Sequence, residues 1–178
     1  FTQSYVQIMP VFAELMNSDE RGYGYLLSAG GVGSVMGTLL VGSVHRFRML
    51  GMLMLGGAVA SVAMLFVFAF AAAAGSFSAA LISVFFAATA ASVFMITSMT
   101  VLQLEVPDHL RGRVMGIHTI GYSLMPLGGL FIGGLAEITG APAAVMTGGS
   151  IYLLIIFLIG LGVSEIRNLN GHRLEQAA

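Results

Sequence analysis

Five stretches of this chain are long, apolar and free of internal charge, and that leaves few folds open. They run near residues 23–44, 49–74, 77–102, 114–136 and 143–163. An α-helix crosses a bilayer core of ~30 Å with ~20 apolar residues, and each stretch meets that length. A sixth stretch, residues 1–16, is shorter and reads as the end of a helix truncated where the chain starts. Of the 178 residues, 57% are hydrophobic and 8% charged. A soluble domain carries about 25% charged residues; a surface built from a third of that could not be wetted. The expected class is therefore an all-α membrane protein, with residues 1–163 a transmembrane helical bundle and 164–178 a polar tail.

Charge placement supports the same count. A charge at the bilayer centre costs about 2.5–3.5 kcal/mol on insertion scales. Glu14 and Glu137 stand only at expected helix ends, and no Arg or Asp falls within a span. Six of the seven Arg fall on one side: Arg46, Arg48, Arg111, Arg113, Arg167 and Arg173. Arg21 alone falls on the other. The positive-inside rule puts the first group, and the C-terminus, in the cytoplasm. One span more or fewer would scatter the Arg over both faces. Net charge is −1, so nothing here attracts nucleic acid. The chain has no Cys, which excludes a disulfide framework and a thiolate metal site. No cofactor or metal is expected.

Residues 103–113 read as the longest and most charged connection, with Asp108 after Pro107 as the N-cap of a short helical turn. Glu105, Asp108, Arg111 and Arg113 could form a cytosolic charge network that holds one gate state. They could equally be a solvated loop, since exposed ion pairs contribute about 0–1 kcal/mol.

Two helices are rich in small residues. In 23–44, Gly33 and Gly37 have the small-xxx-small spacing that lets helix backbones approach in lipid. This serves ordinary packing or a gliding face between two halves of a transporter. In 114–136, Pro126 removes a backbone hydrogen bond and should kink the helix amid Gly121, Gly128, Gly129, Gly133 and Gly134. A bent helix can rock during transport, though membrane helices also tolerate Pro and Gly without such a role.

Polar groups at membrane depth are few. Gln3, Ser4, Tyr5 and Gln7 lie in the first span; Thr89, Ser92, Thr97, Ser98 and Thr100 in the fourth; His118, Thr119, Tyr122 and Ser123 in the fifth. Such groups usually face the bundle interior or a cavity. His118 could relay protons, or sit as an interfacial side chain about one turn inside its helix. Glu14 could carry a proton or be an interfacial acid. Other chemistries fail on missing partners. Gly30, Gly31 and Gly33 hint at a dinucleotide loop, but Met36 stands where its last Gly belongs and no strand precedes it. Gly22-Tyr23-Gly24 lacks the rest of a potassium filter. An intramembrane serine protease needs a paired nucleophile and base, and no G-x-S-G is present. No enzyme activity is expected.

Two stretches resemble a known family. One is P-V-F-A at 10–13, followed by G-Y-G-Y-L-L-S-A-G-G-V-G-S-V-M-G at 22–37. The other is Q-L-E-V-P-D-H-L-R-G-R-V-M-G at 103–116, continuing through M-P-L-G-G-L-F-I-G-G-L-A to T-G-A-P. Together they resemble the C-terminal half of a major facilitator superfamily transporter, closest to the transmembrane secretion effector branch with its enterobactin exporters and macrolide efflux pumps. The resemblance numbers the spans seven to twelve, the first truncated, so the fold is a six-helix half. One stretch departs from it: G-S-V-H-R-F-R at 42–48 is a degenerate form of the acidic, basic and Gly signature between helices eight and nine.

The resemblance implies a proton-coupled exporter of an amphipathic small molecule, such as a drug or siderophore, working by alternating access in a bacterial cytoplasmic membrane. Gln3, Tyr5, Gln7, Thr97 and Tyr122 would line the substrate cavity, and Glu14 and His118 are the proton-coupling candidates. The implied partners are membrane lipid, a small-molecule substrate and an N-terminal six-helix half. The small-residue faces of helices eight and eleven would slide against that half. A non-transporting subunit with the same fold, a lipid flippase and an importer remain alternatives. The native gene product is expected to have roughly twice this chain's mass, from two six-helix repeats; an intact-mass measurement in detergent checks it.

Overall fold

The computed structural model describes residues 6, 9–16, 18, 20–43 and 50–162. Among them every regular element is a helix: α1 (Met9–Leu15), α2 (Glu20–Ser43), α3 (Leu50–Ala73), α4 (Phe77–Glu105), α5 (Asp108–Ser123), α6 (Met125–Thr139) and α7 (Ala141–Gly162). Helix is the form these apolar stretches must take in lipid, because it satisfies each backbone N–H and C=O within its own segment. Five segments are long and apolar enough to cross a membrane, with α5 and α6 counted together. Their bounds lie within a few residues of the expected ones, except near residue 110, where charged residues expected in a loop are helical.

α4 is the central element. α2 and α3 both pack along it, α7 packs on α3, and α6 on α7. Glycines set the closest contacts. A Cβ on Gly33 would run into the backbone carbonyl of Phe85, and one on Gly37 into that of Thr89. The rising numbers, 33 to 85 and 37 to 89, show that α2 and α4 run parallel. Gly57 of α3 meets α4 in the opposite sense; its Cβ would lie 3.0 Å from the Ala90 carbonyl and from the Phe94 amide. The reversal between α3 and α4 is tight, with Gly75 at φ 68°, a backbone conformation that disfavours any side chain. Gly149 of α7 abuts Phe66 and Val62.

A hydroxyl bridges α2 and α4. Thr89 Oγ1 lies 3.0 Å from the Gly33 carbonyl and 2.8 Å from that of Phe85 in its own helix, so its single proton is shared between two acceptors. This contact sits beside the Gly33 approach and needs it, since any larger residue at 33 would push the carbonyl out of reach.

The apolar core lies toward the end where α1 begins α2. Met9 and Phe12 of α1, Leu26 of α2, Phe68 of α3 and Val84 of α4 are almost wholly buried. Phe12 and Phe68 meet at a ring-centroid distance of 4.6 Å. The buried hydroxyls of Ser61 and Ser83 donate to the carbonyls of Ala58 and Ala80 in their own helices, at 2.8 Å each. By the alternation of helices, Arg111 and Arg113 lie at one end of the bundle and Arg21 at the other. The loop 45–48 and the tail 164–178 lie outside the described residues.

Gly33→Ala or Gly37→Ala is expected to destabilise the bundle by about 1–3 kcal/mol through overpacking. Gly42, with nothing within 4 Å of its ideal Cβ, is the control. Gly42→Ala is expected to be neutral or to stabilise by up to ~1 kcal/mol through helix propensity. Equilibrium unfolding in mixed SDS micelles distinguishes the two.

Candidate functional site: the α4–α5 joint and the polar face of α5

Expected connection 103–113 is almost entirely helical. α4 continues to Glu105, α5 starts at Asp108, and only Val106 and Pro107 lie between. The cause is Pro107. Proline disfavours helical backbone in the residue before it, and Val106 is extended at φ −88°, ψ 121°. The Pro107 carbonyl then accepts from the amides of Leu110 (2.9 Å) and Arg111 (3.1 Å). Asp108 is thus the first residue of a membrane-length segment and not the cap of a short turn; Pro107 holds the capping position. Asp108 still places a negative charge where the helix dipole favours one.

Of the four expected gate residues, the structure joins two. Arg111 Nη2 lies 2.9 Å from Asp108 Oδ1 and donates to the Gln103 carbonyl at 3.2 Å. That second bond has a specific origin. Helical geometry would pair the Gln103 carbonyl with the amide of residue 107, and proline has none. The guanidinium supplies the missing donor from eight residues away. Arg113 is exposed on the same turn and side chain Glu105 lies outside what the structure describes.

Further along α5, His118 is half-buried, and Thr119 and Ser123 are exposed. Thr119 donates to the Met115 carbonyl at 2.9 Å and Ser123 to that of Thr119 at 3.3 Å. Tyr122 belongs to this helix, but its side chain is not among those described. The expected kink appears as a break between α5 and α6 at Leu124. Pro126 stands at the start of α6; beyond it Gly129 is buried and Gly128 half-buried.

Thr97 is 0% exposed, and its Oγ1 has no hydrogen-bond partner. It is sealed inside the bundle, past the contacts that α4 makes with Gly37 and Gly57. Gln3, Tyr5 and Gln7 lie outside the described residues. Glu14 is exposed on α1 and Glu137 on α6. Among the described residues no group of three His, Cys, Asp or Glu side chains could hold a metal ion. An open groove of about 640 Å³ lies between α3 and α7, lined by Leu55, Val59, Ser150, Leu153, Leu154 and Phe157. Thr97, the expected cavity residue whose side chain is described, does not line it.

α2 and α5–α6 also carry broad uncovered apolar faces. Val32, Val35 and Leu39 are exposed on α2, and Ile117, Ile120 and Leu127 on α5 and α6. Their polar and apolar groups alike lie on helices long enough to span a bilayer. A family model described as Major Facilitator Superfamily matches residues 1–176. The chain belongs to the major facilitator superfamily. It is an integral membrane protein of a transporter family, and its all-helical architecture is that of a major facilitator bundle. No curated protein and no solved structure matches it.

In this major facilitator chain, sequence spacing pointed to Gly33 and Gly37 but passed over Gly57, Gly149 and the Thr89 bridge. Gly149 has no small residue four positions away to flag the contact, whereas Gly57 has Ser61 at that spacing, a signal that was passed over. The Arg111 bond was legible in principle, since Gln103 and Pro107 are four apart.

Thr97→Val keeps the shape and removes the unpartnered hydroxyl, so it is expected to stabilise the bundle by about 1 kcal/mol. Unfolding in mixed micelles measures this; a loss of stability would show that the hydroxyl has a partner in the membrane.

Proposed function

We propose that this chain is the C-terminal half of a secondary active exporter, a rocker-switch protein that moves an amphipathic small molecule out across a bacterial cytoplasmic membrane. The observation that carries the reading is the family match over nearly the whole chain, combined with a charged joint of the secretion-effector type at Pro107–Arg113. Alternating access in such proteins turns two helical repeats about a site near the bilayer midplane.

In this reading Gln3, Tyr5, Gln7 and Tyr122 supply neutral hydrogen-bonding groups to the cavity, and Thr97, wholly buried within the bundle, does not. The half-buried His118 and the polar surface of α5 support placing that helix on the cavity side, because polar groups at membrane depth are costly against lipid. The α4–α5 joint, with Glu105, Asp108, Arg111 and Arg113, forms part of the cytosolic gate, and the C-terminal tail is cytosolic. Gly128 and Gly129 let α6 approach its neighbours beyond the Pro126 break. The N-terminal six-helix half covers the open faces of α2 and α5.

Proton coupling is assigned to Glu14 or His118. In inverted membrane vesicles carrying the full-length protein, uptake of a fluorescent amphipathic probe is expected to fall when an uncoupler dissipates the proton gradient. Glu14→Gln or His118→Gln is expected to remove that dependence at the coupling residue. Transport unchanged by the uncoupler overturns the coupling; no probe movement under any gradient overturns the exporter reading.

A further inference from the structure

We propose that the groove between α3 and α7 seats one acyl chain of an anionic phospholipid, drawn from the leaflet at the end of the bundle where α3 begins and α7 ends. The proposal rests on the membrane placement of these helices and not on a substrate or a direction of transport. The face concerned is separate from those of α2 and α5, which the N-terminal half covers in the reading above.

Side-chain size creates the groove. Gly149 of α7 meets Val62 and Phe66 of α3, while later residues of α7 share the groove with the earlier Leu55 and Val59. The two helices are therefore antiparallel. At Gly149 the absent Cβ lets them close. Leu153 and Phe157 follow at four-residue steps, on nearly the same face of α7, and there the helices stand apart around an open space of about 640 Å³. Left unfilled, its walls would forfeit their dispersion contacts.

Depth and chemistry say what fills it. Leu154 lies eight residues before Gly162 and Val59 nine after Leu50, the helix ends at this side. At 1.5 Å per residue that is ~12–14 Å along each axis. One leaflet contributes ~15 Å of hydrocarbon, so the groove opens among lipid chains. Val59, Leu154 and Phe157 are exposed in it. The one hydroxyl on its lining, that of Ser150, already donates to the Met146 carbonyl at 2.8 Å. The walls thus offer a polar ligand or a peptide backbone no partner, and burying either unpaired is costly. A hydrocarbon chain asks for none.

Charge selects the headgroup. Arg48 stands two residues before α3 and Arg46 four, with no acid between Ser43 and Leu50. Beyond α7, Glu165 and Arg167 offset each other. A chain seated in the groove brings its phosphate to this basic end, and an Arg beside a membrane surface favours anionic lipid by a factor of about 5.

The chain has no Trp, so one can be introduced as a reporter. In the full-length protein, with any Trp elsewhere replaced by Phe, Leu154→Trp reads the groove. Val67→Trp reads exposed α3 surface outside it. Fluorescence is followed in phosphatidylcholine vesicles as phosphatidylglycerol or phosphatidylcholine carrying mid-chain bromines is added. Leu154→Trp is expected to be quenched by the brominated phosphatidylglycerol at about 5-fold lower mole fraction than by the brominated phosphatidylcholine. Val67→Trp is expected to respond to the two lipids alike. Replacing both Arg46 and Arg48 by Gln is expected to abolish the preference at Leu154→Trp. Val59→Phe, which fills the groove and keeps both Arg, is expected to do the same. Equal quenching of Leu154→Trp by the two lipids overturns the proposal. So does the same preference at both positions, which would mean a general attraction of anionic lipid to the bundle. A preference that survives Val59→Phe removes the groove as its seat, and no quenching by either lipid means that protein covers it; both overturn the proposal.

Discussion

Backbone-to-backbone contact along α4 organises this bundle. In lipid the hydrophobic effect does not draw helices together, because acyl chains are as apolar as the side chains. Association rests on close packing and hydrogen bonds. The absence of a Cβ at Gly33, Gly37 and Gly57 brings α2 and α3 onto the α4 backbone. Only at that separation does the Thr89 hydroxyl reach the Gly33 carbonyl. α7 approaches α3 differently, with Gly149 set against the side chains of Phe66 and Val62. A glycine stripe that could be read as slack is therefore the tightest part of the structure.

Proline does the opposite work at the other side. Pro107 and Pro126 bracket α5 and detach it from the continuous helices. The same chemistry, an amide that proline lacks, has two outcomes. Near the charged joint a guanidinium restores the lost bond from across the turn. At membrane depth the Leu127 amide shifts to the nearer Leu124 carbonyl and the helix breaks.

Much of this was legible without coordinates. The run of apolar windows located the five membrane-length segments, since the length of an apolar run is a local property set by bilayer thickness. The Pro126 break was legible for the same reason: a missing amide acts on its own helix. The joint at 103–113 was misjudged as a loop because charge marks exposure and not backbone form. A helix can carry Asp108, Arg111 and Arg113 past the membrane surface and remain a helix.

Composition and order of residues determined the class of protein, the number of long apolar spans, the asymmetry of the Arg and the positions of the breaks, because each depends on neighbours within a turn or on the surrounding solvent. The tertiary structure decided which glycines meet a backbone, that Thr89 bridges two helices while Thr97 is buried without a partner, and that Arg111 reaches Gln103. Those depend on how separate helices are rotated about their axes and which of them become neighbours. Helices that are apolar on every side carry no amphipathic stripe to record that choice.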